Sequence, residues 1–351
     1  MNDEKSNDLK AQEENTEVTE QTPAKKKIGW KKVVLIVVCT ILFCVVCIVG
    51  VAAAIFMHYY SLMDTVSDNS NSASDYYVSY SDDMEYTVDS PIELPEDDIY
   101  VDKDVENILL IGTDERTAKF NYKARAVSMI ILSLNHKTGN IKLVSLERGM
   151  SVRIPGRADD LLTHTFRYGG ADLLLKTIRT HFRVDVDKYV RINFNTFETM
   201  INAAGGVDIT LSEKEAYGLN TYPNGNTWKL DRVVSAGENH FNGFEALQYS
   251  RMRWIDSDWR RVERQRKVII ALKDKCSEMS LGELNEFAES CLPLVETNIS
   301  STEMAGLLIS LPNFLDADLQ QMTIPKKGTY QGLGDVDFNA NTKILHEFLY
   351  E

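Results

Sequence analysis

From Val33 to Met57 the chain carries no charged residue. A helix of that length, rising about 1.5 Å per residue, crosses a hydrocarbon layer about 30 Å thick with some tilt. No other feature restricts the architecture as much, because whatever folds must do so on one side of such a segment. The run predicts one transmembrane helix at 33–57. Ala52, Ala53 and Ala54 near its end keep a cleaved signal peptide as the other reading, since small residues mark such cleavage sites.

The flanks are unequal. Lys25, Lys26, Lys27, Lys31 and Lys32 stand just before the run, whereas His58 to Asp102 holds many carboxylates and no Lys or Arg. Positive charge stays on the cytoplasmic side, which places the N-terminus inside and the rest outside a single-pass cell-membrane protein. Residues 1–32, polar and poor in large apolar side chains at their start, predict a disordered cytoplasmic tail. Residues 58–102, rich in Ser, Asp, Asn and Tyr with Pro91 and Pro95, predict an acidic extracellular stalk. Much of the formal charge of −14 belongs to tail and stalk, and nothing in the pattern suggests nucleic-acid binding. Of the five cysteines, Cys39, Cys44 and Cys47 lie within the run; Cys276 and Cys291, outside it, could be oxidised to a disulfide.

Residues 103–351 hold the material for one folded domain. The apolar runs 107–112, 128–134 and 141–146 predict strands, the last two joined at Asn135 to Asn140. Gly169-Gly170 introduces a helical stretch to about His181, a strand follows near Tyr189 to Asn193, and Phe194 to Ala204 is helical up to Gly205-Gly206. The two glycines end that helix with positive φ. Helices at Asn242–Ser250, Asp258 to about Lys275, 301–312 and 340–350, with a strand at Leu319–Ile324, complete an α/β fold: a mixed central sheet flanked by helices.

The densest polar stretch runs from Tyr249 to Arg266 and is basic in an acidic protein. On a helix, Asp258, Arg261 and Gln265 share a face, with Arg264 one turn beyond Arg261; Arg251 and Arg253 precede them. Guanidinium groups converging from a helix and its lead-in suit a diphosphate, each fork donating paired hydrogen bonds to non-bridging oxygens. The other reading is a solvated helix face laced with Glu263 and Asp256 pairs.

Three segments carry a likeness: NILLIGTDER at 107–116, YVRINFNTFETMINAAGGVDI at 189–209 and AGENHFNGFEALQYSRMRWIDSDWRRVERQRKVI at 236–269. Together they resemble the LytR-CpsA-Psr family of bacterial cell-envelope proteins. The resemblance implies transfer of an anionic glycopolymer, such as teichoic acid or capsule, from a polyprenyl-pyrophosphate carrier to peptidoglycan, with Mg2+ at the diphosphate. By position, it implies that Asp114 is the magnesium-side aspartate. Arg125, Arg148, Arg251, Arg253, Arg261, Arg264 and Gln265 would be the phosphate-binding groups, with Asp258 and Arg261 closest to the chemistry.

Two departures stand out. Where the family has Arg-Ser-Asp before the second strand this chain has Arg125-Ala126-Val127, and where it has Pro-Arg-Asp after the third this chain has Glu147-Arg148-Gly149. Valine and glycine cannot bind magnesium, so a catalytically weakened binder of polyprenyl phosphate or pyrophosphate is the alternative expectation. Glu115, Glu147, Asp159 or Asp160 could stand in for the missing acids, but each is expected to be a surface acid; His164, an acid or base by type, is expected to serve structure at a loop–helix junction.

Overall fold

The computed structural model describes residues 30–66, 99–116, 120, 123–221, 229–310, 314, 317 and 319–351, with the side chains of 30–45 excepted. Met1–Ala53 and Ala54–Glu351 are two separate compact units. Helix α1 (Trp30–Leu62) extends past both ends of the predicted span. Among the described residues no helix is long and apolar enough to cross a membrane, and the side chains of 33–45 lie outside them. Most of the predicted tail, 1–29, and most of the stalk, 67–98, also lie outside the described residues.

In chain order the second unit contains β1 (Asp64–Thr65), β2 (Val105–Thr113), β3 (Ala126–Asn135), β4 (Ile141–Leu146), β5 (Ser151–Arg153), β6 (Asp159–Leu161), α2 (Leu162–Phe182), β7 (Lys188–Asn193), α3 (Phe194–Ala203) and β8 (Val207–Leu211). It continues through α4 (Glu213–Asn220), β9 (Gly237–Phe241), α5 (Gly243–Arg251), α6 (Asp258–Ser277), α7 (Leu281–Cys291), β10 (Glu296–Thr297), α8 (Ser301–Ser310), β11 (Leu319–Ile324), β12 (Tyr330–Gly332), β13 (Asp335–Val336) and α9 (Phe338–Tyr350). Seven strands form a mixed sheet in the order β1-β10-β7-β2-β3-β4-β11, which bears out the predicted α/β class. Pairs β1–β10, β2–β7 and β4–β11 are parallel and the others antiparallel. The β3–β4 connection turns where expected, Asn135 Oδ1 accepting the Lys137 and Thr138 amides at 3.1 and 2.9 Å.

Strand alternation assigns the two sheet faces different work. Leu109 and Ile111 of β2, Met129 and Ile131 of β3, and Val144 and Leu146 of β4 pack with Phe166, Leu174 and Ile178 of α2 and Leu345 and Leu349 of α9 in the main core. Each such side chain contributes roughly 1.5–3 kcal/mol by burial. On the other face α3, α5, α6 and the antiparallel β8–β9 pair build a second core around Ile201, Phe241, Tyr249 and Val268. Gly243 allows α5 to approach α3, since a Cβ there would lie 2.2 Å from the Glu198 carbonyl oxygen. Gly205 and Gly206 end α3 with φ of 79° and 97°, as the sequence predicts.

Several expectations are corrected. The stalk does not begin at His58: α1 runs to Leu62, and β1 joins the sheet edge, the Asp64 amide donating to Val295 O at 3.0 Å and the Val66 amide to Thr297 O at 2.9 Å. Tyr60 donates its hydroxyl to the Ile299 carbonyl at 3.1 Å. The folded unit therefore starts ahead of residue 103. Helix α2 starts at Leu162, ahead of Gly169-Gly170, which kink it with Gly170 at φ 63°. For the cysteine pair, which the sequence leaves open, the structure has Cys276 and Cys291 unbonded.

A buried ion cluster joins β7 to its neighbours. Arg191, with no exposed surface, pairs with Glu115 and with Glu296 at 2.9 Å, and its guanidinium lies 4.6 Å from the centre of the Phe166 ring. Burial pushes the Glu296 carboxyl up while Arg191 pulls it back. Removing the cation leaves buried carboxylates uncompensated, so Arg191→Met should lower the unfolding free energy by about 3–5 kcal/mol. Urea denaturation checks this; a loss below about 1 kcal/mol would show that solvent reaches the cluster.

Candidate active site

The face of the sheet turned away from the main core carries a cavity of about 740 Å³. Leu110 of β2, Ile130 of β3, and Val190 and Ile192 of β7 form its floor. Phe194, Phe197, Met200 and Ile201 of α3, Leu247 of α5, and Val268, Ile269 and Leu272 of α6 line the rest of its apolar part. The polar lining is confined to one end, where β2, β4 and β7 finish and β3 begins. Asp114 follows β2, Arg125 precedes β3, Arg148 follows β4, and Arg251, Arg253 and Arg261 come from the α5–α6 junction. Open α/β sheets bind ligands at the carboxyl ends of their strands for this reason: the loops there converge.

Helix α6 begins at Asp258, its N-cap Ser257 accepting the Arg260 amide at 3.5 Å. One turn on, Arg261 is 4 % exposed and donates through Nη1 to Asp258 Oδ1 at 3.0 Å. Its Nε and Nη2 find no hydrogen-bond partner among the described residues. Arg148 lies on the other side of Asp258, Nε to Oδ2 at 3.7 Å. Burial, reinforced by Arg148, pushes the Arg261 guanidinium down to about 10, and burial also lowers Arg148. Arg251 stacks its guanidinium 4.7 Å from the Phe194 ring centre. Gln265 accepts the Ser128 hydroxyl at 3.0 Å. A buried guanidinium with donors to spare, beside a second cation, is a place that gains from an incoming anion.

Not every predicted residue belongs here. Arg264 is a correction: it is buried, with Nε on Glu215 Oε1 at 3.0 Å, Nη1 on the Met252 carbonyl at 2.7 Å, and an ion pair to Asp256. Those partners occupy its donors, so it braces the loop before α6. The solvated-face reading holds for Arg260, which pairs with Glu263 on the surface at 2.7 Å. Glu115 and Glu147, expected at the surface, are 8 % and 0 % exposed. Asp159 does lie at the surface beside Arg153, while Asp160 is engaged by His164 at 3.0 Å and by the Tyr168 hydroxyl at 2.7 Å.

Asp114 is the acid that lines the cavity, and Arg125 holds both its oxygens. Asp114 Oδ1 accepts the Arg125 amide at 2.9 Å, and Oδ2 accepts Arg125 Nε and Nη2 at 3.0 and 2.8 Å. No group of three or more His, Cys, Asp or Glu suited to a metal occurs among the described residues. Val127 lines the cavity where a carboxylate was expected, and at Gly149 a Cβ would lie 2.9 Å from Leu333 Cδ1.

The sequence matches the LytR_cpsA_psr family over residues 65–351. It is 30% identical over 249 residues to the polyisoprenyl-teichoic acid–peptidoglycan teichoic acid transferase TagT of Bacillus subtilis (strain 168), covering 70% of this chain and 75% of that one. Among solved structures, TagT bound to LIIa-WTA superposes with a TM-score of 0.55 at 27% identity, over 70% of this chain and 91% of that one. TagT with bound octaprenyl pyrophosphate lipid gives a TM-score of 0.52 at 25% identity, with the same coverage of each chain. With most of its length matched and the fold shared, this chain belongs to the LytR_cpsA_psr family.

Proposed function

We propose that this protein transfers an anionic glycopolymer from a polyprenyl-pyrophosphate carrier to peptidoglycan at the cell surface, held in the membrane by α1 with its N-terminus in the cytoplasm. The observation that carries this reading is the division of one cavity into an arginine-lined end and an apolar interior. That division suits an amphiphile with a diphosphate head and an isoprenoid tail. The transferase name of its TagT relative, and the octaprenyl pyrophosphate bound in a TagT structure, support the choice of ligand. The uncharged run 33–57 and the lysines before it support the anchor and its orientation.

In this reading Arg148, Arg261, Arg251 and Arg253 hold the diphosphate, and the lipid enters between β7, α3 and α6. An acceptor hydroxyl of peptidoglycan attacks the phosphorus that bears the glycopolymer. A new P–O bond forms, the bond to the bridging oxygen breaks, and polyprenyl phosphate leaves with that oxygen. Asp258, 28% exposed at its side chain and fixed between two arginines, receives the hydroxyl proton. The cations offset charge as it shifts onto the leaving phosphate, and such catalysis is positioning and electrostatics in the main. With both Asp114 oxygens on Arg125, no step is assigned to magnesium.

A second reading, a binder of the same lipid without turnover, draws on Val127 in the cavity wall and on Gly149 packed against Leu333, where the acids expected from the family are missing. Release of polyprenyl phosphate separates the two readings.

Two variants test the site through binding to the full-length chain in detergent. Arg261→Ala should weaken both inorganic pyrophosphate and geranylgeranyl pyrophosphate by about 30-fold or more, the equivalent of ~2 kcal/mol for a buried charge contact. Ile192→Trp, which fills the apolar part, should weaken only the prenylated ligand, bringing its affinity down to that of inorganic pyrophosphate. Equal effects of Ile192→Trp on both ligands would place the lipid elsewhere.

A further inference from the structure

Glu147 follows β4 directly and is 0 % exposed. Its amide donates to the Ile324 carbonyl at 2.9 Å and its carbonyl accepts the Met150 amide at 3.3 Å, so its backbone is fixed from both sides. Neither carboxylate oxygen has a hydrogen-bond partner among the described residues. An acid buried in that state resists ionisation. The charged groups that face it are Arg261 and Asp258 from α6 and its own neighbour Arg148; β11, whose Ile324 carbonyl holds its amide, adds none to that set. Burial pushes the Glu147 carboxyl up to about 7, with Arg261 drawing it down and Asp258 pushing it further up. Glu147 and Arg261 thus each hold buried polar atoms in reserve, two oxygens on the acid and Nε and Nη2 on the cation.

Glu147 has no exposed surface, unlike Asp258, so it acts through its charged neighbours and not on the substrate. We propose that Glu147 is a positioning residue that couples anion binding to a proton: a diphosphate seated on Arg261 and Arg148 drives the buried, unpartnered Glu147 carboxyl into its neutral form, which leaves the arginine pair with its full positive charge for the phosphate oxygens. The inference rests on the phosphate-binding reading of this site and adds its regulation by pH. With Glu147 ionised, the quartet Arg148, Arg261, Asp258 and Glu147 carries no net charge; with it protonated, the quartet is cationic. An arriving anion disfavours the ionised acid, and by linkage protonation of the acid tightens the anion. The proton comes from solvent on binding and returns to it on release, and no substrate bond is made or broken by it.

The test compares inorganic pyrophosphate binding by the full-length chain in detergent, wild type against Glu147→Gln, from pH 6 to pH 8. Ionisation of pyrophosphate itself is common to both proteins and drops out of their ratio. The affinity of the variant relative to wild type should rise about tenfold over that range, as wild type alone loses the neutral acid. A ratio that does not change with pH overturns the coupling and leaves the phosphate site standing; no binding by either protein overturns the site and the coupling together. A second measurement does not depend on the variant folding. In wild type labelled with 13C at its glutamate carboxyls, one resonance should titrate near pH 7 and its midpoint should move up by about a unit or more with pyrophosphate. If no carboxyl midpoint moves, the coupling is wrong.

Discussion

Helix α6 buries three arginines, and a buried guanidinium must be compensated or the fold loses several kcal/mol. Two are engaged by the protein itself. Arg264 is taken by Glu215, Asp256 and the Met252 carbonyl. Arg266 is taken by neutral oxygens of Ser145, Gln321 and Thr323 at 2.6, 2.8 and 2.9 Å. These contacts fasten α6 to the loop before it and to the β4–β11 edge of the sheet. Among the described residues Arg261 is paired with one acid, Asp258, which it shares with Arg148. The fold thus uses two cations to place the helix and leaves the third with donors for something else.

The cavity is the other consequence of that placement. Side chains of β2, β3 and β7 alternate between the main core and the opposite face, and α3, α5 and α6 cover that face without filling it. Because the strand ends converge where α6 begins, the apolar space ends at the arginines. Arg191, buried between Glu115 and Glu296, secures β7 to the residue that follows Asp114, so the loop carrying the first site acid is tied down from beneath.

Much of this was legible in the sequence. The runs at 107–112, 128–134 and 141–146 are long and apolar enough to identify β2, β3 and β4, but being nearly continuous they did not show which face would be left open. Strands β1 and β10, of two residues each, have no periodicity to read; they are placed by tertiary pairing, backbone to backbone and, for β10, through the Glu296–Arg191 ion pair. Helical spacing put Asp258, Arg261 and Gln265 together correctly. It could not separate Arg264 from them, because the acids that claim Arg264 come from α4 and from the loop ahead of α6. Glu147 was misjudged for a related reason. Beside Arg148 and Gly149 it reads as a surface turn residue, and its burial beside Arg261 and Asp258 is a tertiary fact.

The proposed activity requires that a polyprenyl diphosphate seated on Arg261 and Arg148 be turned over. The most direct measurement incubates the full-length protein in detergent with a polyprenyl-pyrophosphate-linked glycopolymer and peptidoglycan, and follows free polyprenyl phosphate together with phosphodiester-linked polymer. Both products should form in equal amounts, and Arg261→Ala should abolish both. Lipid bound at the site with neither product released would contradict the proposed activity and establish the protein as a carrier-lipid binder.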